Sequence, residues 1–283
     1  MLRRERRTPC GPPTVTLSLP SITSRRHPLV QACRDARAGG PDEPLLLDGW
    51  HLLVEAVAAG LAVDAVAVDS DPPGDAEARA LDALIEAGAQ VVHATDDVLQ
   101  AMSPVRTASG VVALARRPAF SEIDVLAGAA AALVVVAVDV QDPGNIGALV
   151  RTAEAAGATA FVAAGASADP LGWKALRASM GSAFRLAMAR HPDAAAVVAA
   201  ARGRQVQLVA LVPRGGRPPG EVNLASPTAL LLGGEGPGLS AALVAEADHV
   251  VSLPMAAAVE SLNVAVAGAL VIYAAAAQRS ARR

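Results

Sequence analysis

Three polar residues, Asp139, Asn145 and Arg151, stand at the end of an apolar segment or in the helical pattern that follows it. Residues 134–136 are all valine, which is typical of a strand buried in a parallel sheet. The sequence Asp-Pro-Gly-Asn at 142–145 predicts a turn, and the apolar residues beyond it follow a helical period. Because ligands bind at the carboxyl ends of strands in open α/β sheets, this unit predicts a site. A purely structural role is the simpler alternative for Asn145, which is expected at the helix N-cap.

Two later segments also combine turn chemistry with polar side chains. The segment LLLGGEGPGL at 230–239 follows a strand pattern with glycines and one carboxylate, Glu235. The segment LPMAAAVESLNVAVAGA at 253–269 runs from a loop into an apolar helix, with Ser261 and Asn263 near the helix start. Glycines let backbone amides approach a ligand closely, and a helix start presents unpaired N–H groups. Taken alone, Ser261 is more simply explained as an N-cap.

Together with NIGALVRTAEAAGA at 145–158, these segments resemble the three motifs of the SpoU-like, TrmH-type branch of the SPOUT superfamily, in the same order. Members of this branch are RNA 2′-O-ribose methyltransferases that use S-adenosylmethionine. The resemblance covers roughly residues 133–278 well and the first half more loosely. It implies an α/β fold in which a parallel-sheet catalytic domain with a C-terminal trefoil knot follows a small α/β substrate-binding domain.

The resemblance also implies roles for individual residues. Arg151 is assigned to the transfer step, and Glu235 is expected to orient Arg151 or the attacking hydroxyl. A guanidinium keeps its proton above about pH 12, so stabilising negative charge is an easier role for Arg151 than accepting a proton. Asn145, Ser261 and Asn263 are expected to hold the ribose and neighbouring groups by neutral hydrogen bonds. The residues expected on S-adenosylmethionine are Gly233, Gly234, Leu211, Leu253 and Leu262.

Two positions depart from the family pattern. The family often has Asn, Ser or Ala where Gly234 stands, and usually has Gly where Ala257 stands. Because Ala257 could narrow the cofactor pocket, a catalytically degenerate RNA-binding protein with the same fold is an alternative. A Rossmann oxidoreductase is a weaker alternative, since the glycine-rich loop follows the fourth predicted strand of its domain and contains a proline.

Composition limits the classes of protein that the chain can belong to. A length of 283 residues with 53% hydrophobic residues favours two compact domains. The apolar runs near 126–138 and 264–277 are shorter than the about 18 residues of a spanning helix, and the N-terminus does not resemble a secretory signal. We therefore expect a cytoplasmic protein without a membrane segment. Cys10 and Cys33 fit no zinc-binding spacing, so we expect no metal.

Charge is distributed unevenly along the chain. The net charge is −3, but arginines crowd the first forty residues, where Glu5 and Asp35 are the carboxylates. Arg25 and Arg26 are therefore candidate RNA contacts, with a solvated arm as the alternative for the basic N-terminus. Aromatic residues make up 2% of the chain, which disfavours base stacking on an aromatic platform. The small first domain favours ribosomal over transfer RNA, and the family implies a homodimer.

The predicted order along the chain has four parts. They are a disordered Arg/Pro-rich arm at 1–21, an RNA substrate-binding domain at 22–117, a linker at 118–131 and a methyltransferase domain at 132–279. In the last part, alternating strand and helix patterns predict a mostly parallel sheet with helices on both faces. The final helix, predicted from Leu262 to Ala277, is apolar nearly all round and is therefore expected to be buried.

Overall fold

The computed structural model describes residues 19–40, 42–121, 132–256 and 259–282. Its first half alternates short strands with helices. The elements are β1 (Ser21–Ile22), α1 (Pro28–Ala38), β2 (Leu45–Asp48), α2 (Trp50–Ala58), β3 (Val63–Val68), α3 (Asp75–Glu86), β4 (Gln90–Ala94), α4 (Asp96–Met102) and β5 (Val111–Ala115). They form a sheet with the order β1-β4-β3-β5-β2, in which β5 runs antiparallel to both of its neighbours.

The second half forms a separate sheet. Its elements are β6 (Leu133–Val138), α5 (Pro143–Ala155), β7 (Ala160–Ala164), α6 (Trp173–Ser179), β8 (Ala187–His191), α7 (Ala194–Gly203), β9 (Gln207–Leu211), β10 (Thr228–Gly233), α8 (Ala241–Ala245), β11 (His249–Val251) and α9 (Val264–Ser280). The strand order is β11-β9-β10-β6-β7-β8, and every strand pair is parallel. The predicted parallel sheet is therefore confirmed.

Alternate residues of β6 belong to two different cores. Val135 packs in one cluster with residues of α5, α6 and α9, whereas Val134 packs in another with residues of α7 and α8. Side chains of a strand point alternately to the two sheet faces, so helices cover both faces as predicted. All six residues of β6 are buried, which explains why its sequence is apolar without interruption.

Three features of the second half differ from the sequence-based expectations. β8 and α7 were not predicted, so the glycine-rich loop follows the fifth strand of this sheet and not the fourth. The final helix begins at Val264 and not at Leu262, because Asn263 caps it. It is also not buried all round within one chain, since Val266, Leu270 and Tyr273 are each 52% exposed.

The far end of α9 is held by a loop that precedes β10. The Gln278 side chain accepts from the Leu224 N–H at 2.8 Å and donates to the Val222 carbonyl at 3.1 Å, and Arg279 donates to the Leu224 carbonyl at 3.0 Å. The trefoil knot implied by the resemblance remains a prediction; the hydrogen bonds of Gln278 and Arg279 with residues 219–226 are consistent with it. Among the described residues, no helix combines the length and apolar character needed to cross a bilayer.

The two sheets meet where α6 packs against β2. At this boundary the buried carboxylate of Asp48 accepts hydrogen bonds from Ser103 Oγ at 2.9 Å and from Arg177 Nη1 at 2.8 Å. Burial raises the pKa of Asp48 above its usual value, against the opposite effects of these two partners. Arg185 forms ion pairs with Glu55 of α2 and Glu154 of α5, so a second cation also bridges the two halves.

The proposed domain limits remain predictions. Residues 1–18 of the predicted arm and 122–131 of the predicted linker lie outside the described residues. The end of the predicted arm, however, is part of the first sheet. Ser21 pairs with His93 of β4, and the Pro20 carbonyl accepts from the His93 N–H at 2.8 Å. Parallel pairing with β4 gives this segment backbone hydrogen bonds between strands, which a disordered arm in solvent would not form.

Candidate functional site

A cleft of about 240 Å³ opens at the carboxyl ends of β9 and β10. Leu211 ends β9, Gly233 ends β10, and Leu253 follows β11, which pairs with β9. Parallel strands end together at this edge of the sheet, as in other open α/β proteins that bind ligands there. All of the predicted cofactor-binding residues line the cleft, namely Leu211, Gly233, Gly234, Leu253 and Leu262. Three predicted catalytic residues line it as well, namely Glu235, Ser261 and Asn263.

Asn145 lies within α5 and does not cap it, contrary to the prediction from sequence. Asp142 is the N-cap, and its Oδ1 accepts from the Asn145 N–H at 2.8 Å. Pro143 occupies the first helical position, which suits proline because an N–H there would have no partner within the helix. The side chain of Asn145 is therefore available for contacts outside its own helix.

A chain of hydrogen bonds joins the three motifs. The Asn145 side-chain amide donates to Glu235 Oε1, and Asn145 Oδ1 accepts from Asn263 Nδ2 at 3.1 Å. Asn263 in turn caps α9, because its Oδ1 accepts from the backbone N–H groups of Ala265 and Val266 at 2.9 and 3.2 Å. Residues separated by 90 and 118 positions in the sequence thus meet at one point.

The backbone N–H groups at the start of α9 determine which atom donates and which accepts in each of these hydrogen bonds. Only an oxygen can accept from the helix N–H groups, so the amide nitrogen of Asn263 must face Asn145. Asn145 then presents its oxygen to Asn263 and its amide nitrogen to Glu235. The carboxylate of Glu235 is thereby oriented by two neutral side chains that lead back to the positive end of a helix.

The glycines of the glycine-rich loop differ in the space that surrounds them. A Cβ at Gly234 would lie 2.0 Å from the Asp139 carbonyl oxygen, and one at Gly233 would lie 2.4 Å from backbone atoms of residues 238 and 239. In this chain, backbone packs against backbone at both positions, so a side chain at either would force the loop to shift, even at Gly234, where the family often has Asn, Ser or Ala. Gly236 and Gly238, which also line the cleft, have open space where a Cβ would be. A ligand can approach the backbone of Gly236 and Gly238 closely, although neither residue is among the predicted cofactor-binding residues.

Arg151 is not brought to the cleft by the fold of one chain. It is an exposed residue of α5, and it makes no hydrogen bond or ion pair with the part of the chain that the structure describes. It comes six positions after Asn145, which places it about 120° around the helix axis from Asn145. The structure therefore brings Asn145, Glu235 and Asn263 together, with Ser261 in the same cleft, but leaves Arg151 outside it.

Arg25 and Arg26 are also remote from this cleft. Arg25 forms an ion pair with Asp97 of α4, with a distance of 3.2 Å between Nη2 and Oδ1. Both arginines are exposed, and neither lines the cleft.

The residues present in the cleft suit S-adenosylmethionine. Leu211, Leu253 and Leu262 give the cleft apolar walls of the kind that an adenine ring requires, and Leu262 is 40% exposed although it is apolar. Met255, also unpredicted, extends this apolar wall. Ser261, Asn263 and the loop backbone add polar groups of the kind that a ribose and an amino acid require. Ala257, whose methyl group could narrow the pocket, lies outside the described residues.

The structure also describes Cys33 and the candidate metal ligands of the described ranges. Burial raises the pKa of the Cys33 thiol to about 12, so its reactive thiolate is scarce at neutral pH. Within the described ranges, no group of three or more His, Cys, Asp or Glu side chains is placed to hold a metal ion.

Known proteins with similar sequences are named as RNA methyltransferases. The SpoU rRNA Methylase family matches residues 132–273. The chain is 32% identical over 230 residues to the 23S rRNA (guanosine(2553)-2′-O)-methyltransferase RlmP of Bacillus subtilis, a match covering 81% of this chain and 86% of that one. It is 38% identical over 146 residues to the 23S rRNA (uridine(2479)-2′-O)-methyltransferase of Streptomyces viridochromogenes, covering 50% of this chain and 51% of that one.

Solved structures agree with these sequence relationships. The SpoU methyltransferase AviRb of Streptomyces viridochromogenes, in complex with AdoMet, is similar with a TM-score of 0.79 and 28% identity, over 90% of this chain and 100% of that chain. An RNA 2′-O ribose methyltransferase is similar with a TM-score of 0.79 and 31% identity, over 92% of this chain and 99% of that chain. In agreement with the three motifs and the parallel sheet, these matches place the chain in the SpoU rRNA methylase family.

Proposed function

We propose that this protein transfers a methyl group from S-adenosylmethionine to the 2′-hydroxyl of a ribose in ribosomal RNA. As a member of the SpoU family, it is an S-adenosylmethionine-dependent RNA 2′-O-methyltransferase. The observation that carries the proposal is the hydrogen-bonded set Glu235–Asn145–Asn263, which joins all three family motifs at the mouth of the cleft. Neither a Rossmann oxidoreductase nor a degenerate binding protein gains support from the comparisons.

Ribosomal RNA is favoured over transfer RNA as the substrate by the relatives. The Bacillus subtilis relative, which is matched along most of both chains, is named for a guanosine of 23S ribosomal RNA. The Streptomyces viridochromogenes relative is named for a uridine of 23S ribosomal RNA. The two names specify different bases. They therefore support ribosomal RNA as the class of substrate but do not identify the nucleotide that this protein methylates.

The reaction requires a 2′-hydroxyl to lose its proton while its oxygen forms a bond to the methyl carbon. When bound, S-adenosylmethionine supplies that carbon on a sulfonium, whose carbon–sulfur bond breaks to leave S-adenosylhomocysteine. A hydroxyl is a poor nucleophile, so the protein must position it and favour departure of its proton.

The carboxylate of Glu235 is the group that we assign to positioning the hydroxyl. One of its oxygens accepts from Asn145, and the other accepts no hydrogen bond from the described residues. That second oxygen is available to accept from the 2′-hydroxyl. Asn145 and Asn263 hold the carboxylate in place, and Ser261 adds a neutral donor and acceptor at the cleft.

Arg151 remains essential in this proposal, although one chain alone leaves it outside the cleft. Its planar cation suits a phosphate of the substrate, and an RNA bound near the start of α5 would pass along the helix that carries Arg151. Such a contact would fix the register of the RNA and bring its ribose to Glu235.

We also propose that the protein is a homodimer. Val266, Leu270 and Tyr273 follow one another at helical spacing on α9 and are each 52% exposed. They form an apolar stripe on the helix whose opposite face is buried against α5 and β10. A second copy of the chain would remove this stripe from water. Small-angle scattering at micromolar concentration should give twice the mass of the chain, and a monomeric mass would contradict the proposal.

The function is tested by mapping 2′-O-methylated riboses in RNA from cells with and without the gene. We expect one or a few riboses of ribosomal RNA to lose the modification, and the intact gene to restore it. Restoration by a Glu235→Gln variant would argue against the role of this carboxylate. Loss confined to transfer RNA would refute the choice of substrate while leaving the reaction class intact.

A further inference from the structure

A second cavity, of about 400 Å³, lies between the two halves of the molecule. From the first half it is lined by the end of α1, including Arg37, and by Arg117. From the second half it is lined by Lys174 at the start of α6, by Arg190 at the end of β8 and by Asp169. We call this cavity the interdomain groove. Its lining contains four cations and one carboxylate.

Only one of the four cations is neutralised by a lining residue. Arg117 Nη1 pairs with the Asp169 carboxylate at 2.9 Å, and both side chains are largely buried. Arg117 also donates to the Glu43 carbonyl at 3.3 Å, so this pair joins the two walls of the groove. Asp169 additionally accepts from the Leu171 N–H at 2.9 Å. We interpret the pair as a structural element that holds the groove open.

Arg37, Lys174 and Arg190 are different, because each is exposed and none forms an ion pair with a described residue. The Lys174 ammonium lies 5.4 Å from the ring centroid of Trp173, a contact that leaves its charge uncompensated. Three such cations concentrated in one concave surface are unexpected for a chain with a net charge of −3. Like charges brought together in this way favour an anionic ligand with several charges.

The groove adjoins the start of α5. Pro143, the first residue of that helix, lines the groove, and Asn145 two residues later makes its contacts with Glu235 in the cleft. A ligand in the groove would therefore reach the helix that carries Asn145 and Arg151.

We infer that the interdomain groove binds the phosphates of the RNA segment next to the methylated nucleotide, through Arg37, Lys174 and Arg190. This inference rests on the proposed function and assigns the RNA-binding surface to a different place from Arg25 and Arg26. The groove supplies charge for phosphates and few groups for reading bases, so it positions the RNA without specifying its sequence.

The test compares three double variants that each remove two arginine charges. Arg37→Gln/Arg190→Gln alters the groove, Arg25→Gln/Arg26→Gln alters the loop before α1, and Arg79→Gln/Arg106→Gln alters two exposed arginines that line neither cavity. The probe is an in-vitro transcript of bacterial 23S ribosomal RNA, and its binding is measured across a series of salt concentrations. Thermal unfolding and calorimetric binding of S-adenosylmethionine confirm that each variant is folded.

For the groove variant we expect weaker RNA binding and a slope of log K on log salt that is smaller in magnitude by about 2, roughly one for each arginine that no longer neutralises a phosphate. The Arg79/Arg106 control should keep the wild-type slope, and all variants should bind S-adenosylmethionine like the wild type. In methyl transfer, the groove variant should show a raised KM for RNA and a kcat close to that of the wild type.

Equal salt slopes for the groove variant and the Arg79/Arg106 control would overturn the inference. Weaker RNA binding in the Arg25→Gln/Arg26→Gln variant alone would also overturn it. A failure of the proposed function has a different signature, because the wild-type protein itself would then transfer no methyl group to RNA. If the groove double variant does not fold, Lys174→Gln alone serves, with an expected reduction of the slope by about 1.

Discussion

The cleft and the interdomain groove lie on either side of the start of α5, and they are lined by different kinds of chemical groups. The cleft is formed by loop backbone, apolar side chains and neutral amides, with Glu235 as its charged lining residue. The groove carries three exposed cations, on α1, α6 and β8, together with the buried ion pair of Arg117 and Asp169. The first surface selects a ligand by shape and hydrogen bonding, whereas the second attracts one by charge. One enzyme that must bind a small cofactor and a large polyanion has a use for both.

This contrast implies different responses to perturbation. Interactions that depend on backbone packing are sensitive to added volume and insensitive to ionic strength. Interactions between exposed cations and phosphates respond in the opposite way, since salt competes for the phosphates.

The largest effect is expected from Arg151, a cation that lines neither cavity. Arg151→Ala should reduce methyl transfer on the order of a hundredfold or more, about 3 kcal/mol in activation free energy, with cofactor affinity nearly unchanged. Arg151→Lys should not restore activity, because a point charge cannot replace the planar fork. Single-turnover rates and calorimetry separate the two quantities. Full activity of the alanine variant would show that Arg151 takes no part in methyl transfer. The distinction between the cleft and the groove would not be affected.

Gly234→Ala should damage the cleft through volume alone. The added Cβ would lie 2.0 Å from the Asp139 carbonyl oxygen, so the loop must shift. We expect a loss of about 2 kcal/mol in the free energy of unfolding and weaker binding of S-adenosylmethionine. Gly220→Ala is the matched control, because a Cβ there meets no atom within 4 Å. Chemical denaturation and calorimetry provide the measurements, and wild-type behaviour of Gly234→Ala would show that the loop is pliable.

Asn145→Ala should interrupt the hydrogen-bonded set at its centre. Losing a donor to the Glu235 carboxylate costs about 2 kcal/mol, which corresponds to transfer slower by roughly tenfold to thirtyfold. The effect should fall on kcat, because Asn145 does not line the cleft that receives the cofactor. Asn223→Ala, which removes the same group from a distant loop, should leave kcat unchanged. An unaffected rate in Asn145→Ala would mean that Glu235 needs no such support.

The smallest expected change is in cofactor affinity as salt is raised. Between about 50 and 200 mM salt, binding of S-adenosylmethionine should change by less than about twofold, since the cleft contributes few charges. Binding of RNA over the same range should weaken by orders of magnitude if about six or more phosphates are contacted. Parallel titrations measure both. Similar salt dependence for the two ligands would show that the cleft and the groove are not distinct in the way described above.

Much of the fold could be predicted from local patterns. The valine and leucine runs of β6 and β10 predict buried parallel strands because both faces of each strand are covered. β8 was missed, since only two of its five residues are buried and it contains Arg190. α7 is almost entirely alanine and valine, so it lacks a clear apolar period, although Asp193 and Gly203 mark its ends.

The motifs indicated which residues to expect at the candidate site, but they did not indicate the contacts between those residues. Resemblance identified Asn145, Glu235 and Asn263, yet local patterns cannot show that residues so far apart in sequence share hydrogen bonds. The capping role of Asp142 was overlooked because Asn145 also has a side chain suited to a cap. The groove was not predicted at all, because Arg37, Lys174 and Arg190 are isolated in the sequence. Their elements come together through the packing of the two halves, which includes that of α6 against β2.

That packing also determines how the molecule comes apart. Leu47 of β2 and Leu53 of α2 belong to the same apolar cluster as Leu171 and Leu176 of the second half. Separating the halves would expose this shared surface to water and break the contact between Asp48 and Arg177. Heating should therefore give a single calorimetric transition for both sheets, although the chain carries two sheets of different topology. The van't Hoff enthalpy, derived for a dimer that unfolds to two chains, should equal the calorimetric enthalpy.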